Sequence, residues 1–439
     1  MNAKQKIQID IKRLQREIDE LSLISENPPP VVTRVLFSEA DLRGRDFVKK
    51  ICHAAGLTLR EDAVGNIFAR WEGTEKNSPA VATGSHIDAI PNAGKYDGVV
   101  GVLGAIEAIR ALQKNNFQPR RSIELIVFTS EEPTRFGIGC LGSRLLGGVL
   151  SPEKAAALKD RDGKTLDEWR AQAGFGGARL CEPQQLETSK ARRVTDPRSN
   201  DLSSVRLPKD CYAAFVELHI EQGPILEKEK LDVGIVEKIA APSTLRVELV
   251  GIGGHAGAVL MPGRRDALLA GAEIALAVEN AAKNSGSRDT VGTTGVFRIE
   301  PGAVNSVPCR AHLEIDLRDT QVSTRDAALK KIEKAVASIC SRRKIKFTSE
   351  RLNLDPPAIC DAALVKMISK ICDELKFSSK KMISRAYHDS LFMAQICPTT
   401  MIFIPCRGGV SHRPDEYSSS KQIKNGVTVL ANALARLAK

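Results

Sequence analysis

The chain has 439 residues, of which 42% are hydrophobic and 27% charged, a balance typical of a globular protein too long for a single core. No run of residues approaches eighteen apolar positions, which excludes a recognisable transmembrane segment. The formal net charge is +11 and only 4% of residues are aromatic; because the basic residues are scattered, we expect solvated basic faces and no nucleic-acid partner.

The N-terminal segment Met1–Ser25 is predicted to be an amphipathic helix, and it contains no apolar core of the kind found in signal peptides. Its apolar residues fall on one face: Ile7, Ile11, Leu14, Ile18 and Leu21. We therefore expect no membrane partner, and no targeting segment within this chain.

The first half of the chain alternates short apolar strands with helical stretches. Val81–Thr83 and Ile123–Thr129 are predicted strands with the predicted helix Val99–Leu112 between them, and Tyr212–Leu218 is a further buried strand. This β-α-β order predicts an α/β sheet with helices on both faces. The polar segment Thr188–Lys209 is predicted to be a surface excursion.

A second pattern begins near residue 240 and has the order β-α-β-β-α-β, which is that of a ferredoxin-like module. Its predicted strands and helices are Leu245–Val250, Asp266–Ala282, Val291–Ile299, Ala311–Leu317, Arg325–Ile339 and Ile345–Glu350. The α/β pattern then resumes with the predicted helix Ala362–Leu375 and the predicted strand Met401–Ile404. The predicted domains are therefore 1–240 together with 354–439, and an inserted domain at 241–353.

Histidine and acidic residues lie at the ends of predicted strands or in the turns beyond them: His86, Asp97, Glu131, Glu132, His219 and His412. Ligands of open α/β sheets bind outside the carboxyl ends of the strands. Imidazole and carboxylate together suit zinc, manganese or cobalt, whereas calcium prefers oxygen alone. Each residue by itself is more often a turn or surface residue, but the set together favours two metal ions bridged by a carboxylate.

Five signatures in this order resemble those of the dinuclear metal amidohydrolases, a family whose members act on ureidoglycolate, allantoate and N-carbamoyl-amino acids. They are Gly84-Ser85-His86-Ile87-Asp88, Tyr96-Asp97-Gly98, Glu131-Glu132-Pro133-Thr134-Arg135-Phe136, Glu217-Leu218-His219-Ile220-Glu221-Gln222-Gly223 and Ser411-His412. The resemblance extends from about Ser38 to Leu437. It implies a mixed-sheet α/β metallohydrolase domain with an inserted ferredoxin-like α+β domain that serves as lid and dimerisation domain.

The resemblance implies a role for each candidate ligand. His86, Asp97 and His219 would hold one metal ion. Asp97, Glu132 and His412 would hold the other, so that Asp97 bridges the two. By resemblance the cofactor would be two Mn²⁺ ions, with Zn²⁺ or another divalent metal as the alternative.

The same resemblance implies the catalytic groups. Glu131 would be the general base, and Asp88 would fix the tautomer and orientation of His86. His255, acting across a homodimer interface, would stabilise the oxyanion. A small anionic ureido substrate would be bound by Gln222, His255, Asn305, Arg318, Tyr387 and His388.

Two stretches, 253–262 and 384–390, are most similar to the plant-type members that hydrolyse ureidoglycolate. Tyr387 stands where allantoate-hydrolysing members carry glycine, so it would shrink the pocket and offer a hydroxyl to a short substrate. Arg407 departs from the pattern that the family resemblance leads us to expect at its position. It leaves the choice among closely related substrates open. We expect hydrolysis of (S)-ureidoglycolate, with allantoate, N-carbamoyl-L-amino acids or a non-enzymatic metal-binding role as alternatives. By resemblance the compartment is the endoplasmic reticulum, with the cytoplasm as the alternative.

Overall fold

The computed structural model describes residues 7–175 and 201–439, so most of the predicted surface segment Thr188–Lys209 lies outside it. The helices are, in chain order, α1 Ile11–Ser22, α2 Glu39–Ala54, α3 Val99–Lys114, α4 Leu141–Leu146, α5 Pro152–Ala156, α6 Leu166–Ala173, α7 Ile225–Lys228, α8 Ala267–Lys283, α9 Val322–Arg343, α10 Ala362–Leu375, α11 Ser390–Met393 and α12 Ser420–Leu437. No helix in the described ranges combines the length and apolar character that a bilayer span requires.

Seventeen strands accompany these helices in the described ranges. They are β1 Val32–Arg34, β2 Thr58–Glu61, β3 Ile67–Trp71, β4 Ala80–His86, β5 Ala89–Ala93, β6 Ile123–Phe128, β7 Tyr212–Ile220, β8 Val233–Ile239, β9 Ala241–Val250, β10 Gly254–His255, β11 Val291–Glu300, β12 Ser306–Val307, β13 Arg310–Asp319, β14 Lys346–Leu354, β15 Ala358–Ile359, β16 Ser379–Ser384 and β17 Thr399–Ile404. The α/β class with mixed sheets is thereby confirmed.

The chain forms two compact units. Unit 1 consists of the described parts of Met1–Glu237 together with Cys360–Met382 and His388–Lys439, and unit 2 of Lys238–Ile359 and Ile383–Tyr387. The predicted insertion at 241–353 falls within unit 2.

The central sheet has the strand order β8-β17-β7-β4-β6-β3-β2, and β15 and β16 both pair with β8. Its middle strands β17, β7, β4 and β6 are parallel, while β8 and β3 flank them in antiparallel orientation. Every residue of β4, β6 and β17 is buried, as expected for parallel strands covered by helices. The parallel strands therefore end at one common edge.

Helices α3 and α1 differ in how their apolar residues are distributed. Helix α3 contacts β4, β7, α12 and α1 and is buried over most of its surface, so it is apolar on nearly all sides. Helix α1 has a single apolar face: Leu14, Ile18 and Leu21 are fully buried. Its start is fixed by the side chain of Asp10, which accepts a hydrogen bond from the Arg13 N–H.

Unit 2 is built around an antiparallel sheet with the order β11-β13-β9-β14, which gives the β-α-β-β-α-β connectivity of a ferredoxin-like module. Helices α8 and α9 pack on the face to which β9 turns Leu245, Val247 and Leu249. The alternating residues Arg246 and Glu248 lie on the opposite face. This alternation explains why β9 has one polar side and one side in the core.

Candidate metal centre

The candidate ligands meet at the carboxyl edge of the parallel strands. His86 is the last residue of β4 and pairs with Phe128 of β6, whereas His219 lies at the end of β7 opposite Phe403 of β17. His412 lies in the loop that follows β17. Because these strands are parallel neighbours, residues far apart in sequence come together at one edge of the sheet.

The side chains form two groups that share Asp97. In the first group, Asp97 Oδ1 lies 3.1 Å from His219 Nε2 and 3.6 Å from His86 Nε2. In the second, His412 Nε2 lies 3.4 Å from Asp97 Oδ2 and 3.2 Å from Glu132 Oε1. Within each group the candidate ligand atoms all lie within 4.8 Å of one another. Each group has the composition predicted for one metal ion.

The imidazoles of His86 and His219 are oriented as metal ligation requires. His86 Nδ1 lies 3.0 Å from the Asp88 carbonyl oxygen, and His219 Nδ1 lies 2.9 Å from the Ile220 carbonyl oxygen. When Nδ1 donates its hydrogen to a carbonyl, Nε2 keeps its lone pair and faces Asp97. The donor set of imidazole nitrogens and carboxylate oxygens fits a transition-metal pair.

The electrostatics of the centre depend on burial and on close charges. Burial alone would raise the pKa of Asp97, but the imidazoles of His219, His412 and His86 hold it well below its usual range. Burial raises the pKa of Glu131 well above its usual range; the His86 imidazole opposes this and the Glu132 carboxylate adds to it. Asp97 is therefore the strongly anionic member of the cluster, and Glu131 has the higher proton affinity.

Glu131 belongs to neither ligand group, although it borders the first. Its Oε2 lies 3.8 Å from His86 Nε2, and its Oε1 lies 3.6 Å from the thiol of buried Cys140. The Asp88 carboxylate accepts hydrogen bonds from the backbone N–H groups of Glu131 (3.2 Å) and Glu132 (3.0 Å). The Asp88 carboxylate thus orients the loop that carries both glutamates. The backbone carbonyl of Asp88, and not its carboxylate, makes the shorter contact with His86 Nδ1.

Glycines allow α3 to lie against the strands that carry the ligands. Gly98 has φ of +65°, and a Cβ there would lie 2.5 Å from the ring of His86. A Cβ on Gly101 would lie 2.4 Å from the Leu218 carbonyl oxygen. Distances below 3.0 Å are not found for real Cβ atoms, so only glycine fits at either position without displacement of the backbone or of His86.

Gln222 and His388, both predicted to bind substrate, lie beside the metal ligands. Gln222 Nε2 donates to Asp97 Oδ2 at 2.6 Å, while its Oε1 is buried without a hydrogen-bond partner among the described residues. The ring centroid of His388 lies 4.5 Å from that of His219. Gln222 therefore contacts the shared ligand directly and has one acceptor left for another molecule.

The other predicted substrate residues lie in unit 2. The backbone of Asn305 accepts a hydrogen bond from the Ala256 N–H, next to exposed His255. The guanidinium of Arg318 donates twice to Asp316, at 2.8 and 2.9 Å. The Tyr387 hydroxyl donates to Asp355 at 2.8 Å. The hydroxyl that was predicted to face substrate is thus held by a carboxylate of unit 2.

Sequence reasoning missed Glu416, which accepts hydrogen bonds from the backbone N–H groups of Tyr96 and Asp97. It lies in the charged stretch Arg413-Pro414-Asp415-Glu416, which resembles a solvated loop. The only signal in the sequence was its place four residues after His412. Ser411 was part of a quoted signature, but no role was predicted for its hydroxyl, which donates to Asp97 Oδ2 at 2.6 Å.

This chain is similar to known proteins over most of its length. The family model described as peptidase family M20/M25/M40 matches residues 82–436. The ureidoglycolate hydrolase of Arabidopsis thaliana is 53% identical over 440 aligned residues, covering 100% of this chain and 88% of the relative. That of Oryza sativa subsp. japonica is 52% identical over 431, covering 98% and 85%.

Two solved structures are similar to this chain over nearly its whole length. The crystal structures of AtUAH in complex with (S)-hydroxyglycine and with glyoxylate each match with a TM-score of 0.90 and 53% identity. Both matches cover 99% of this chain and 99% of the solved chain. The fold, the shared carboxylate and the whole-length similarity lead to one conclusion: this chain belongs to the peptidase family M20/M25/M40.

Proposed function

We propose that this protein is a metal-dependent amidohydrolase that hydrolyses the ureido group of (S)-ureidoglycolate. The observation that carries the proposal is the Asp97 carboxylate shared by two ligand groups, with buried Glu131 at their border. The substrate follows from the ureidoglycolate hydrolases, whose similarity extends over this whole chain. Attack of water on the ureido carbon would release ammonia, carbon dioxide and hydroxyglycine, which collapses to glyoxylate and ammonia.

Two divalent ions bound at these groups would supply the Lewis acidity that makes water nucleophilic near neutral pH. We propose that they are manganese, with zinc as the alternative because the same donors accept both. His86 and His219 would hold one ion, and Glu132 and His412 would hold the other. Asp97 would contribute to both sites. Removal of the ions with a chelator is expected to abolish turnover, and their return to restore it.

We propose that Glu131 carries out the proton transfers and that Gln222 and His388 contact the substrate. Glu131 Oε2 takes a proton from the attacking water and returns it to the leaving nitrogen, a task suited to a carboxyl of raised pKa. The Oε1 of Gln222, which has no hydrogen-bond partner among the described residues, would accept a hydrogen bond from a ureido N–H, and His388 would border the same pocket. Both assignments rest on position beside the ligands.

We further propose that His255, Asn305 and Arg318 bind the substrate across a homodimer interface, where the planar guanidinium would pair with a carboxylate. Arg318 would exchange Asp316 for that carboxylate. Tyr387 would restrict the pocket through its ring, because Asp355 holds its hydroxyl. A location in the endoplasmic reticulum, with the cytoplasm as the alternative, stays a prediction from family resemblance.

A substrate panel tests the proposed function. In manganese-loaded protein, kcat/KM is expected to be highest for (S)-ureidoglycolate, ahead of allantoate and N-carbamoyl-L-amino acids, as measured by ammonia release. Tyr387→Gly is expected to raise activity toward allantoate, and Tyr387→Phe, which keeps the ring, is the matched control. A chain that prefers allantoate would disprove the substrate assignment; one that binds metal and turns over none of these compounds would be a non-catalytic homologue.

The dimer proposal predicts complementation between two inactive chains. In unit 2 the edge strand β11 and helix α8 expose Val291, Phe297, Leu269 and Leu276, which supports a subunit contact there. When Glu131→Gln and His255→Ala chains are co-expressed with different tags, the purified mixed dimer is expected to regain turnover that each variant alone lacks. The reason is that the His255→Ala chain keeps its Glu131 and receives an intact histidine from its partner. Mixed dimers with no recovered activity would place His255 in its own chain's site.

A further inference from the structure

We infer that Glu416 is a positioning residue of the metal centre, which fixes the orientation of the Asp97 carboxylate through the backbone of Tyr96–Asp97 and the hydroxyl of Ser411. The inference rests on the proposed metal-dependent function. It concerns a carboxylate that belongs to neither ligand group and that contacts the backbone of Asp97.

Glu416 is held by hydrogen bonds at both carboxylate oxygens. Its Oε1 accepts from the N–H groups of Tyr96 (2.8 Å) and Asp97 (3.0 Å), and its Oε2 accepts from Ser411 Oγ at 3.0 Å. The side chain is 4% exposed. A carboxyl group can be buried at modest cost when its oxygens are satisfied in this way.

The surroundings leave Glu416 little freedom. A Cβ added to Gly94 would lie 2.5 Å from the Cβ of Glu416 and 2.8 Å from its Oε1. Position 94 therefore has room only for glycine. The carboxylate also links two loops that are more than 300 residues apart in sequence. One loop carries the shared ligand Asp97, and the other carries His412.

Ser411 transmits the effect of Glu416 to the ligand atom itself. Its hydroxyl lies 2.6 Å from Asp97 Oδ2 and 3.0 Å from Glu416 Oε2, and its single hydrogen serves one acceptor at a time. Gln222 Nε2 donates to the same Oδ2 at 2.6 Å. While Ser411 donates to Oδ2, that oxygen has two donors, and together with the fixed backbone N–H they set the plane of the Asp97 carboxylate so that each oxygen faces a different ligand group.

Metal affinity, measured by competition with a chromogenic chelator and by metal content after dialysis, tests this inference with Mn²⁺ and with Zn²⁺. Glu416→Ala is expected to weaken binding by about 10–100-fold, the usual effect of removing a residue that orients a ligand. Glu416→Gln is expected to lose less, because its amide oxygen still accepts from both N–H groups. The NH₂ group of the glutamine cannot accept a hydrogen bond from the Ser411 hydroxyl, so in that variant Ser411 can donate only to Asp97.

Glu107→Ala is the matched control. Glu107 is a fully buried glutamate of α3 that accepts the Asp10 N–H at 2.8 Å and pairs with Arg13 at 2.6 Å, outside the metal centre. Its loss is expected to lower Tm and leave metal affinity unchanged. Should Glu416→Ala fail to fold, Ser411→Ala interrupts the same contact and is expected to weaken metal binding.

Parental metal affinity in a folded Glu416→Ala, or in Ser411→Ala, would overturn the inference. So would an equal loss of affinity in the Glu107→Ala control. The outcome is separate from that of the proposed function: a chain that binds two ions and hydrolyses no ureido compound would refute the activity, while the affinity comparison would still decide the role of Glu416.

Discussion

Glu131→Gln is expected to lower kcat by about 10²–10⁴-fold, the usual contribution of a general acid–base group, while the protein keeps its metal. Glutamine has nearly the same shape, so the hydrogen bond from the residue 131 N–H to Asp88 is preserved. Its amide, however, takes up no proton at neutral pH, and water would have no carboxylate to receive its hydrogen. Steady-state kinetics and metal content on the same preparation measure both effects.

Glu124→Gln serves as the control for that substitution. Glu124 is a buried glutamate on β6, the strand that leads to Glu131, and it pairs with the hydroxyl of Tyr212 at the opposite end. We expect its replacement to affect stability more than kcat. Near-parental turnover of Glu131→Gln would show that another group moves the proton.

Asp97→Asn is expected to have the largest effect on metal content. An amide offers one oxygen and one NH₂ group where a carboxylate offers two oxygens. Only one of the two ligand groups would therefore keep an oxygen ligand from residue 97. The NH₂ group would meet the donors Gln222 and Ser411 if it replaced Oδ2. We expect one ion or none per chain instead of two, a loss beyond the roughly 10–100-fold weakening that indirect changes cause, and no measurable turnover.

Metal analysis by mass spectrometry measures this outcome, and Asp41→Asn separates it from a loss of stability. Asp41 is fully buried and pairs with Arg45 at 2.9 Å, so its replacement is expected to lower Tm without removing metal. Two tightly bound ions in Asp97→Asn, together with parental activity, would rule out a shared carboxylate.

Much of the fold could be predicted because apolar periodicity reports burial directly. The helix predicted at Ala362–Leu375 has those bounds in the structure, and the strand predicted at Val291–Ile299 extends by one residue to Glu300. Buried parallel strands have continuous apolar runs, as in β6 and β17. Elements without such a pattern were missed: β2 is an exposed edge strand with the sequence Thr58-Leu59-Arg60-Glu61.

The candidate site was predictable to the extent that ligands follow strands. His86 and His219 could be placed from the ends of β4 and β7, because parallel neighbours share one edge. Glu416 could not be placed, since its importance comes from backbone N–H groups more than 300 residues away. The partner of Tyr387 was unpredictable for a similar reason: the sequence does not show that Asp355 accepts its hydroxyl.

The glycines of α3 bear on which cation the protein selects. Because Gly98 and Gly101 let the helix backbone rest on the strands that carry His86 and His219, main-chain packing helps to set the spacing of the residues that would hold the ions. Cations that accept the same donors differ in radius and in preferred coordination. Metal preference would therefore depend partly on the apolar interior, because one added methyl group at Gly98 would displace the His86 ring or the backbone and so change the spacing of the ligands.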